Sequence, residues 1–172
     1  NREQFLFGEN GRPSHVAGAP PDAFSETGQL WGNPLYDWPS MAEDDYDWWK
    51  RRVARSLELT DWVRLDHFRG FSAYWTIPAD AQTAIDGTWT EGPGRDFFES
   101  MESHFGTLPF IAEDLGSIDE GVWSLKSAIE VPGMVVLPFA FEDGSDSEHL
   151  PAHHTKASVV YTGTHDTDTV LG

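Results

Sequence analysis

The pattern of apolar and polar positions predicts short buried strands that alternate with helices. Apolar residues recur at helical spacing in three stretches, and four short apolar runs of strand length follow them or lie between them. The predicted helices cover residues 41–58, 96–105 and 117–129. The predicted strands cover residues 59–66, 108–113, 134–137 and 158–161. Continuous apolar strands between helices are typical of a parallel sheet, so we expect an α/β fold.

The helix ends and the connecting segments also follow from local residue types. Ser117 with Glu120 three residues later fits a capping box, which predicts Ser117 as the N-cap of the third helix. The remaining stretches, residues 1–40, 69–94 and 142–156, are rich in Gly, Pro or acidic residues and are expected to be loops. The first of them also carries several aromatic residues, which favours a functional loop over a plain connector.

Composition narrows the class of partner. The formal net charge is -18, from 29 acidic against 11 basic residues, and only three of the basic residues are Lys. Nucleic acids and anionic membranes both require basic surface, so neither is expected as a partner. An acidic, Lys-poor chain is typical of proteins that work in high salt, where screening relieves self-repulsion, and we expect a salt-adapted source. An ordinary acidic cytosolic enzyme is the alternative.

Length and cysteine content set further bounds. The 172 residues suffice for one domain with a core but fall short of the roughly 250 that a complete eight-stranded α/β barrel needs. The chain has no cysteine, which excludes disulfides and cysteine metal sites. No apolar stretch approaches the roughly 20 residues of a membrane span, so a cytoplasmic location is the default expectation.

Three strand-like segments end in acidic residues, and these are the candidate catalytic positions. The residues are Asp66, Glu113 and Asp166. In a barrel of parallel strands the C-terminal strand ends converge on one face, where catalytic residues come from several strands. Retaining glycosyl transfer needs a nucleophilic carboxylate and a second carboxyl that acts first as acid and then as base. The three carboxylates therefore favour glycosyl-transfer chemistry.

The neighbours of each carboxylate suggest its role. Asp66 is the candidate nucleophile, because Arg64 lies two residues earlier on the same strand face and would keep the carboxylate ionised. His67 and Arg69 would add hydrogen-bond donors nearby. The alternative for Asp66 is a structural ion pair with Arg64 at the strand end.

Glu113 is the candidate acid/base. It follows an apolar run that would raise its pKa towards the range of a proton donor, and its alternative is a cap on the following helical region. Asp114 points to the opposite strand face and is interpreted as a structural partner.

Asp166 with His165 is the candidate electrostatic stabiliser of the transition state. A turn residue or a metal ligand is the alternative there.

Flat aromatic surfaces are a second requirement of a sugar site. Trp31 and Tyr36 lie in the predicted N-terminal loop and are the candidate contacts for carbohydrate rings. Trp48 and Trp49 lie on the first predicted helix and are expected to be core residues.

Four segments together resemble the 4-α-glucanotransferases (glycoside hydrolase family 77, α-amylase clan), which include amylomaltases and the plant disproportionating enzyme. Residues 18–36 resemble the family's signature loop, and residues 64–70, 111–116 and 161–166 resemble its catalytic segments in the same order. The resemblance implies a fragment of a (β/α)8 barrel covering roughly strands 4 to 7. Residues 1–40 would be the substrate-site loop region of this partial catalytic domain, and residues 41–172 its barrel part.

The resemblance also implies roles for single residues. Asp66 matches the nucleophile, Glu113 the acid/base and Asp166 the transition-state stabiliser. The implied substrate-binding residues are Arg64, His165, Trp31, Asn33, Tyr36 and His67. Members transfer segments of α-1,4-glucans to glucose or maltooligosaccharide acceptors and need neither a metal nor an organic cofactor.

The chain departs from the family pattern in two respects. Thr167 stands where Asn is expected, a change that leaves the proposed chemistry untouched. The missing barrel strands predict that the 172-residue piece alone is inactive and prone to aggregation. A hydrolase of the α-amylase clan and a non-catalytic glucan-binding fragment remain the alternative functions. The oligomeric state stays open.

Overall fold

The structure is a computed structural model that describes residues 2–23, 25–141 and 147–168. Its strands are β1 (His15–Ala19), β2 (Gln29–Pro34), β3 (Val63–Leu65), β4 (Ala73–Pro78), β5 (Thr88–Glu91), β6 (Phe110–Ala112), β7 (Gly133–Val136) and β8 (Ser158–Tyr161). Its α-helices are α1 (Trp38–Glu43), α2 (Asp47–Leu57), α3 (Gly94–Phe105) and α4 (Glu120–Ile129). Short 3-10 turns include Arg2–Gln4, Phe68–Phe71, Leu137–Phe141 and Pro151–His153.

The predicted mixture of helices and parallel strands is present. Strand β3 pairs in parallel with β6, and β7 pairs in parallel with β8. A backbone hydrogen bond of 2.8 Å from Ala112 N–H to the Pro132 carbonyl joins β6 to the residue just before β7. Strands β3 and β6 are shorter than predicted, whereas β7 has the predicted length but begins one residue earlier, and β8 covers Ser158–Tyr161 as expected. Helix α3 lies in the crossover from β3 to β6, and α4 lies in the connection from β6 to β7; the described part of the connection from β7 to β8 contains only 3-10 turns.

The prediction that residues 1–40 and 69–94 are loops is wrong. Both stretches contain strands, which form an antiparallel four-stranded sheet in the order β2-β1-β4-β5. Val16 pairs with Ile77 across about sixty residues of sequence, and both side chains are buried in a small core. Gly18 lies within β1, and a side chain there would collide with the Gln29 carbonyl of β2, since an added Cβ would lie 2.1 Å from that oxygen. The glycine permits close approach of β1 and β2.

The first predicted helix is two helices. The break falls at residues 44–46, where Asp45 and Tyr46 both adopt left-handed backbone angles with φ of 56°. The first helix starts earlier than expected because the Asp37 side chain accepts a hydrogen bond from Ser40 N–H at 3.2 Å and caps it. The N-cap of α4 is likewise Asp119, which accepts from Val122 N–H at 3.1 Å, so the prediction of Ser117 was wrong.

The main core lies between the helices and the parallel strands. Phe68, Phe97, Phe98 and Phe110 are fully buried in it and contact one another edge-on or tilted. Trp49 is buried and Trp48 packs against the same cluster, as predicted for both. The helices of the described ranges are too short or too polar to cross a membrane.

Candidate active site

The candidate nucleophile lies just beyond β3. Asp66 follows Leu65, and its carboxylate forms an ion pair with the Arg64 guanidinium, Nη2 to Oδ1 at 2.7 Å. Arg64 also points its Nε at the Met134 sulfur at 3.1 Å, which braces the guanidinium against β7. Asp66 is three-quarters exposed while Arg64 is about one-third exposed. The carboxylate is therefore accessible to a ligand and held in one orientation by a charge-assisted bond.

The candidate acid/base lies on the neighbouring strand. Glu113 follows β6, and its main chain extends the β3–β6 ladder: Glu113 N–H donates to the Leu65 carbonyl, and Phe68 N–H donates to the Glu113 carbonyl, both at 3.0 Å. These bonds place the first residues after the two strands side by side. Asp66 and Glu113 are thus brought to the same end of adjacent strands, as the sequence predicted.

The Glu113 carboxylate is held by main-chain donors. His67 N–H donates to Oε2 at 2.6 Å, and Leu115 N–H donates to Oε1 at 3.2 Å. Burial raises the pKa of Glu113 above its ordinary value; the two N–H donors act against this shift, the Asp66 charge adds to it and Arg64 opposes it. A raised pKa is the property that a carboxylic proton donor needs near neutral pH.

His67 has an unusual backbone and a partly buried ring. It adopts the left-handed region with φ of 50°, which non-glycine residues rarely do and which here turns its N–H towards Glu113. Burial, with help from the Arg69 charge, lowers the pKa of His67 to about 4, although the Asp66 charge acts in the opposite direction. The imidazole is therefore neutral at physiological pH and packs edge-on against Trp31, with ring centroids 4.8 Å apart.

A cleft of about 610 Å³ opens beside Asp66. Its lining includes five of the predicted sugar-site residues, namely Trp31, Asn33, Tyr36, Arg64 and His67. Trp31 and Asn33 lie on the exposed edge strand β2, not in a loop. Tyr36 stacks on Phe5 at 5.0 Å and accepts a hydrogen bond from Arg52 at 2.9 Å, so it has a packing role in addition to its place in the cleft wall.

The third predicted position follows the last strand, β8, which pairs with β7. His165 Nε2 lies 3.2 Å from Asp166 Oδ2, and both side chains are about three-quarters exposed. Neither belongs to the lining of the cleft beside Asp66. Thr167 accepts a hydrogen bond from Thr164 N–H at 2.8 Å and so closes this turn. The contacts of Thr167 are thus local to this turn.

Two side chains near the site depart from or extend the sequence interpretation. Arg69 does not donate near Asp66 as expected, because its guanidinium turns away to Asp119 and the Ser117 carbonyl. Tyr74, on β4, also lines the cleft, although the sequence favoured Trp31 and Tyr36 over it as carbohydrate contacts. Its aromatic ring type is the signal that indicates it. Within the described ranges, no group of three or more His, Cys, Asp or Glu side chains could hold a metal ion.

Comparison with known proteins identifies the family. The family model described as 4-alpha-glucanotransferase matches residues 1–172. The chain belongs to the 4-alpha-glucanotransferase family. It is 52% identical to the chloroplastic/amyloplastic 4-alpha-glucanotransferase of Oryza sativa subsp. japonica over 100% of this chain and 29% of that protein. It is 51% identical to the 4-alpha-glucanotransferase of Thermus thermophilus over 99% of this chain and 34% of that protein.

A solved structure of the family has a similar architecture. The amylomaltase from Streptococcus agalactiae in complex with acarbose superposes with a TM-score of 0.90 and 43% identity, over 96% of this chain and 34% of that chain. The present chain thus spans about a third of the length of the 4-alpha-glucanotransferases it matches. The resemblance stated from the sequence motifs is confirmed.

Proposed function

We propose that this chain carries the reaction centre of a retaining 4-α-glucanotransferase. The observation that carries the proposal is the pairing of two unlike carboxyls at the ends of adjacent strands. Asp66 is exposed and fixed by Arg64, while Glu113 is partly buried and has a raised pKa. A retaining mechanism needs this division between an ionised nucleophile and a protonated acid.

In the first step, Asp66 attacks the anomeric carbon of an α-1,4-linked glucan. The glycosidic C–O bond breaks as a covalent glycosyl ester forms at Asp66. Glu113 gives its proton to the departing oxygen, so the leaving glucan becomes a neutral alcohol. The ion pair with Arg64 orients the nucleophile for this attack.

In the second step, the acceptor sugar takes the place of the leaving glucan. Once Asp66 is an ester it carries no charge, and one of the influences that raised the pKa of Glu113 has gone. The pKa of Glu113 then falls, which suits its new role as the base that removes the proton from the 4-hydroxyl of the acceptor. Attack of that oxygen on the anomeric carbon breaks the ester and restores the Asp66 carboxylate.

The remaining predicted residues would bind the sugar chain. We assign Trp31, Asn33, Tyr36 and His67 to the glucan-binding wall, because they line the cleft next to Asp66. Trp31 offers an exposed ring face, and its indole N–H donates to Gln29 at 3.0 Å, which fixes its orientation. An aromatic wall favours a sugar acceptor over water and so supports transfer over hydrolysis.

We further assign Asp166 and His165 to stabilisation of the transition state and to substrate contact. The support is their position directly after β8, a fourth strand of parallel character. In this proposal β3, β6, β7 and β8 are strands 4 to 7 of a (β/α)8 barrel. Residues 1–40 border the substrate site, and α-1,4-glucans and maltooligosaccharides are the substrates.

Two further proposals concern the salt concentration and the cellular compartment in which the protein works. The net charge of -18 and the scarcity of Lys favour a salt-adapted protein, and its activity and stability should then be higher in molar salt than in dilute buffer. A cytoplasmic location fits an enzyme that acts on stored or imported glucans.

Product analysis in a segment-exchange enzyme tests the function. In this protein, residues 1–172 replace the matching segment of the Thermus thermophilus relative, which aligns over 99% of this chain. Incubation with maltotriose should give glucose and a series of longer maltooligosaccharides with no net gain in reducing ends. Glu113→Gln in the same protein is the matched control and should abolish the products while glucan binding persists.

A hydrolase would instead give glucose and maltose with rising reducing ends. A folded segment-exchange enzyme that binds glucan without turnover, and in which Glu113→Gln changes nothing, would indicate a binding module. Circular dichroism and a cooperative melt establish that the protein under test is folded.

A further inference from the structure

Arg69 is a buried cation close to the candidate acid/base but not in contact with it. It lies in the 3-10 turn Phe68–Phe71 that follows His67, and only 7% of its surface is exposed. Its guanidinium donates to the Ser117 carbonyl and to the Asp119 carboxylate, the latter at 2.8 Å. It also lies over the Trp89 ring, 3.9 Å from the centroid.

These contacts join two separate segments of the chain. One is the turn after β3, which carries His67 and Arg69. The other is the connection from β6 to α4, which carries Leu115 and Ser117 and ends at Asp119, the N-cap of α4. Since Asp119 caps the helix through Val122 N–H at 3.1 Å, Arg69 fixes the turn to the start of α4.

Each of these segments supplies one main-chain donor to Glu113. His67, two residues before Arg69, donates to Oε2 at 2.6 Å. Leu115, two residues before Ser117, donates to Oε1 at 3.2 Å. The distance between the two donors, and hence the setting of the carboxylate between them, depends on how the two segments are held together.

We propose that Arg69 is a positioning residue for Glu113, which holds the His67 and Leu115 amides on opposite oxygens of that carboxylate. The inference rests on the proposed function, because it assigns Glu113 as the acid/base. It adds a residue that the reaction scheme does not use and that touches neither the cleft beside Asp66 nor the reacting carboxylates.

An arginine is required for chemical reasons. A buried cation is costly unless several partners satisfy it, and the planar guanidinium offers donors in a fixed fork that can reach a carbonyl and a carboxylate at once. The Trp89 face provides a further favourable contact for the cation. Among the described residues, Arg69 Nε has no hydrogen-bond partner, so the side chain is buried in spite of an unsatisfied donor. Lys, with a compact ammonium, could replace the charge but not the forked geometry.

Loss of this link changes Glu113 in a direction that can be measured. The two amides stabilise the ionised carboxylate, so their displacement raises the pKa of Glu113 beyond the effect of burial. The charged groups that face Glu113 are Asp66 and Arg64, and neither is altered by a change at Arg69. His67 also contacts Glu113, and Arg69→Met removes the charge that helps burial to lower the pKa of His67, whereas Arg69→Lys keeps that charge. Because the first step needs protonated Glu113, the alkaline limb of kcat/KM should move to higher pH.

The experiment compares pH–rate profiles for maltotriose in the segment-exchange enzyme. We expect Arg69→Met to lower kcat about tenfold or more, as expected for a displaced hydrogen-bonded acid, and to move the alkaline limb upwards. Arg69→Lys should lower kcat and shift the alkaline limb by less than Arg69→Met does. Asp119→Asn keeps the helix cap but weakens the Arg69 pair, and should shift the limb in the same direction by a smaller amount.

Lys126→Met is the matched control. Lys126 is also part of a largely buried ion pair, with Asp114, but it joins neither of the two donor segments to the other. This variant should lower the melting temperature without moving the alkaline limb. If Arg69→Met does not fold, Arg69→Lys and Asp119→Asn decide the matter.

A reduced melting temperature with unchanged kcat and pH profile in the Arg69 and Asp119 variants would overturn the positioning role and leave a purely structural one. The two proposals fail differently. If the parent segment-exchange enzyme folds but gives no transfer products, the proposed function fails. If the parent is active and the Arg69 variants keep its profile, only the present inference fails.

Discussion

Of the two adjacent carboxyls after β6, Glu113 is partly buried at the candidate site, whereas Asp114 is buried in structural contacts. Replacement of Asp114 should therefore lower the free energy of unfolding, and Asp114 has no role in the proposed reaction. Asp114 is only 6% exposed, accepts from Met134 N–H at 2.8 Å and forms an ion pair with the Lys126 ammonium. It therefore ties β6 to α4 and to β7. Asp114→Ala removes both links at once.

The expected loss of stability follows from what the substitution leaves behind. Removal of one partner from a buried ion pair costs about 3–5 kcal/mol, because the other charge stays uncompensated. The Lys126 side chain is 17% exposed, so its ammonium can recover some hydration, which favours the lower end of that range. The orphaned Met134 N–H adds a penalty of about 1–3 kcal/mol that overlaps with the first and is not simply additive. We expect a total of about 3–4 kcal/mol.

The assay is urea unfolding of the segment-exchange enzyme, followed by tryptophan fluorescence. Asp47→Ala is the matched control, because Asp47 pairs with Arg51 on the exposed surface of α2 and should cost no more than about 0.5 kcal/mol. The double variant Asp114→Asn with Lys126→Met keeps an acceptor for Met134 N–H and leaves no unpaired charge. It should recover most of the lost stability.

The reasoning would be refuted if Asp114→Ala stayed within about 1 kcal/mol of the parent, or if the Asp47 control lost as much. A double variant as unstable as the single one would show that the uncompensated Lys126 charge is not the cause.

Three further predictions concern the site. Burial raises the pKa of Glu113 above its ordinary 4.5, so folding favours the protonated carboxyl, and this contribution to stability is lost as pH rises. The stability of Glu113→Gln relative to the parent should therefore increase from below pH 4.5 to neutrality. A constant difference in melting temperature across that range would argue against a carboxyl whose pKa is raised by burial. His67→Val should destabilise the protein by about 1–2 kcal/mol more than His67→Asn, because a β-branched residue resists the left-handed backbone that Asn tolerates. Equal unfolding midpoints of the two variants would show that backbone strain at residue 67 does not affect stability. Trp31→Ala should raise KM for maltotriose several-fold and increase the share of hydrolysis while the melting temperature changes little; unchanged product ratios would remove Trp31 from the acceptor wall.

The sequence predicts the elements whose signals are local. The last strand was located at Ser158–Tyr161 because its apolar run is bounded on both sides by polar residues. The different contacts of Glu113 and Asp114 follow from the two-residue period of a strand, which sends neighbouring side chains to opposite faces. Both statements need only residue order and backbone geometry.

The elements that were missed depend on distant partners. Strands β1 and β4 are stabilised by each other, and the sixty residues between Val16 and Ile77 hide that pairing from any local pattern. The cap of α4 was misplaced for a similar reason: the Ser117 carbonyl is used by Arg69, from a segment 48 residues away, and Asp119 has the geometry that reaches Val122 N–H. The helix break requires a left-handed backbone at Tyr46, and a tyrosine in the sequence does not indicate that conformation.

The sequence predicted the carboxylates of the candidate site but not the main-chain groups that hold them. The carboxylates that follow strands could be selected because strand ends are recognisable. The main-chain donors on Glu113 could not, because they come from the left-handed backbone at His67 and from the conformation of the turn at Leu115. Neither backbone conformation can be predicted from the type of residue at that position.

The central claim is that Asp66 forms a covalent bond to the sugar while Glu113 handles the proton. It is tested most directly by treating the Glu113→Gln segment-exchange enzyme with an α-maltosyl fluoride. Fluoride leaves without help from an acid, whereas the second step lacks its base, so the glycosyl-enzyme should accumulate. Peptide mass spectrometry should then find the added maltosyl group on the peptide that contains Asp66. A label on another carboxylate, or inverted product without any label, would contradict the account.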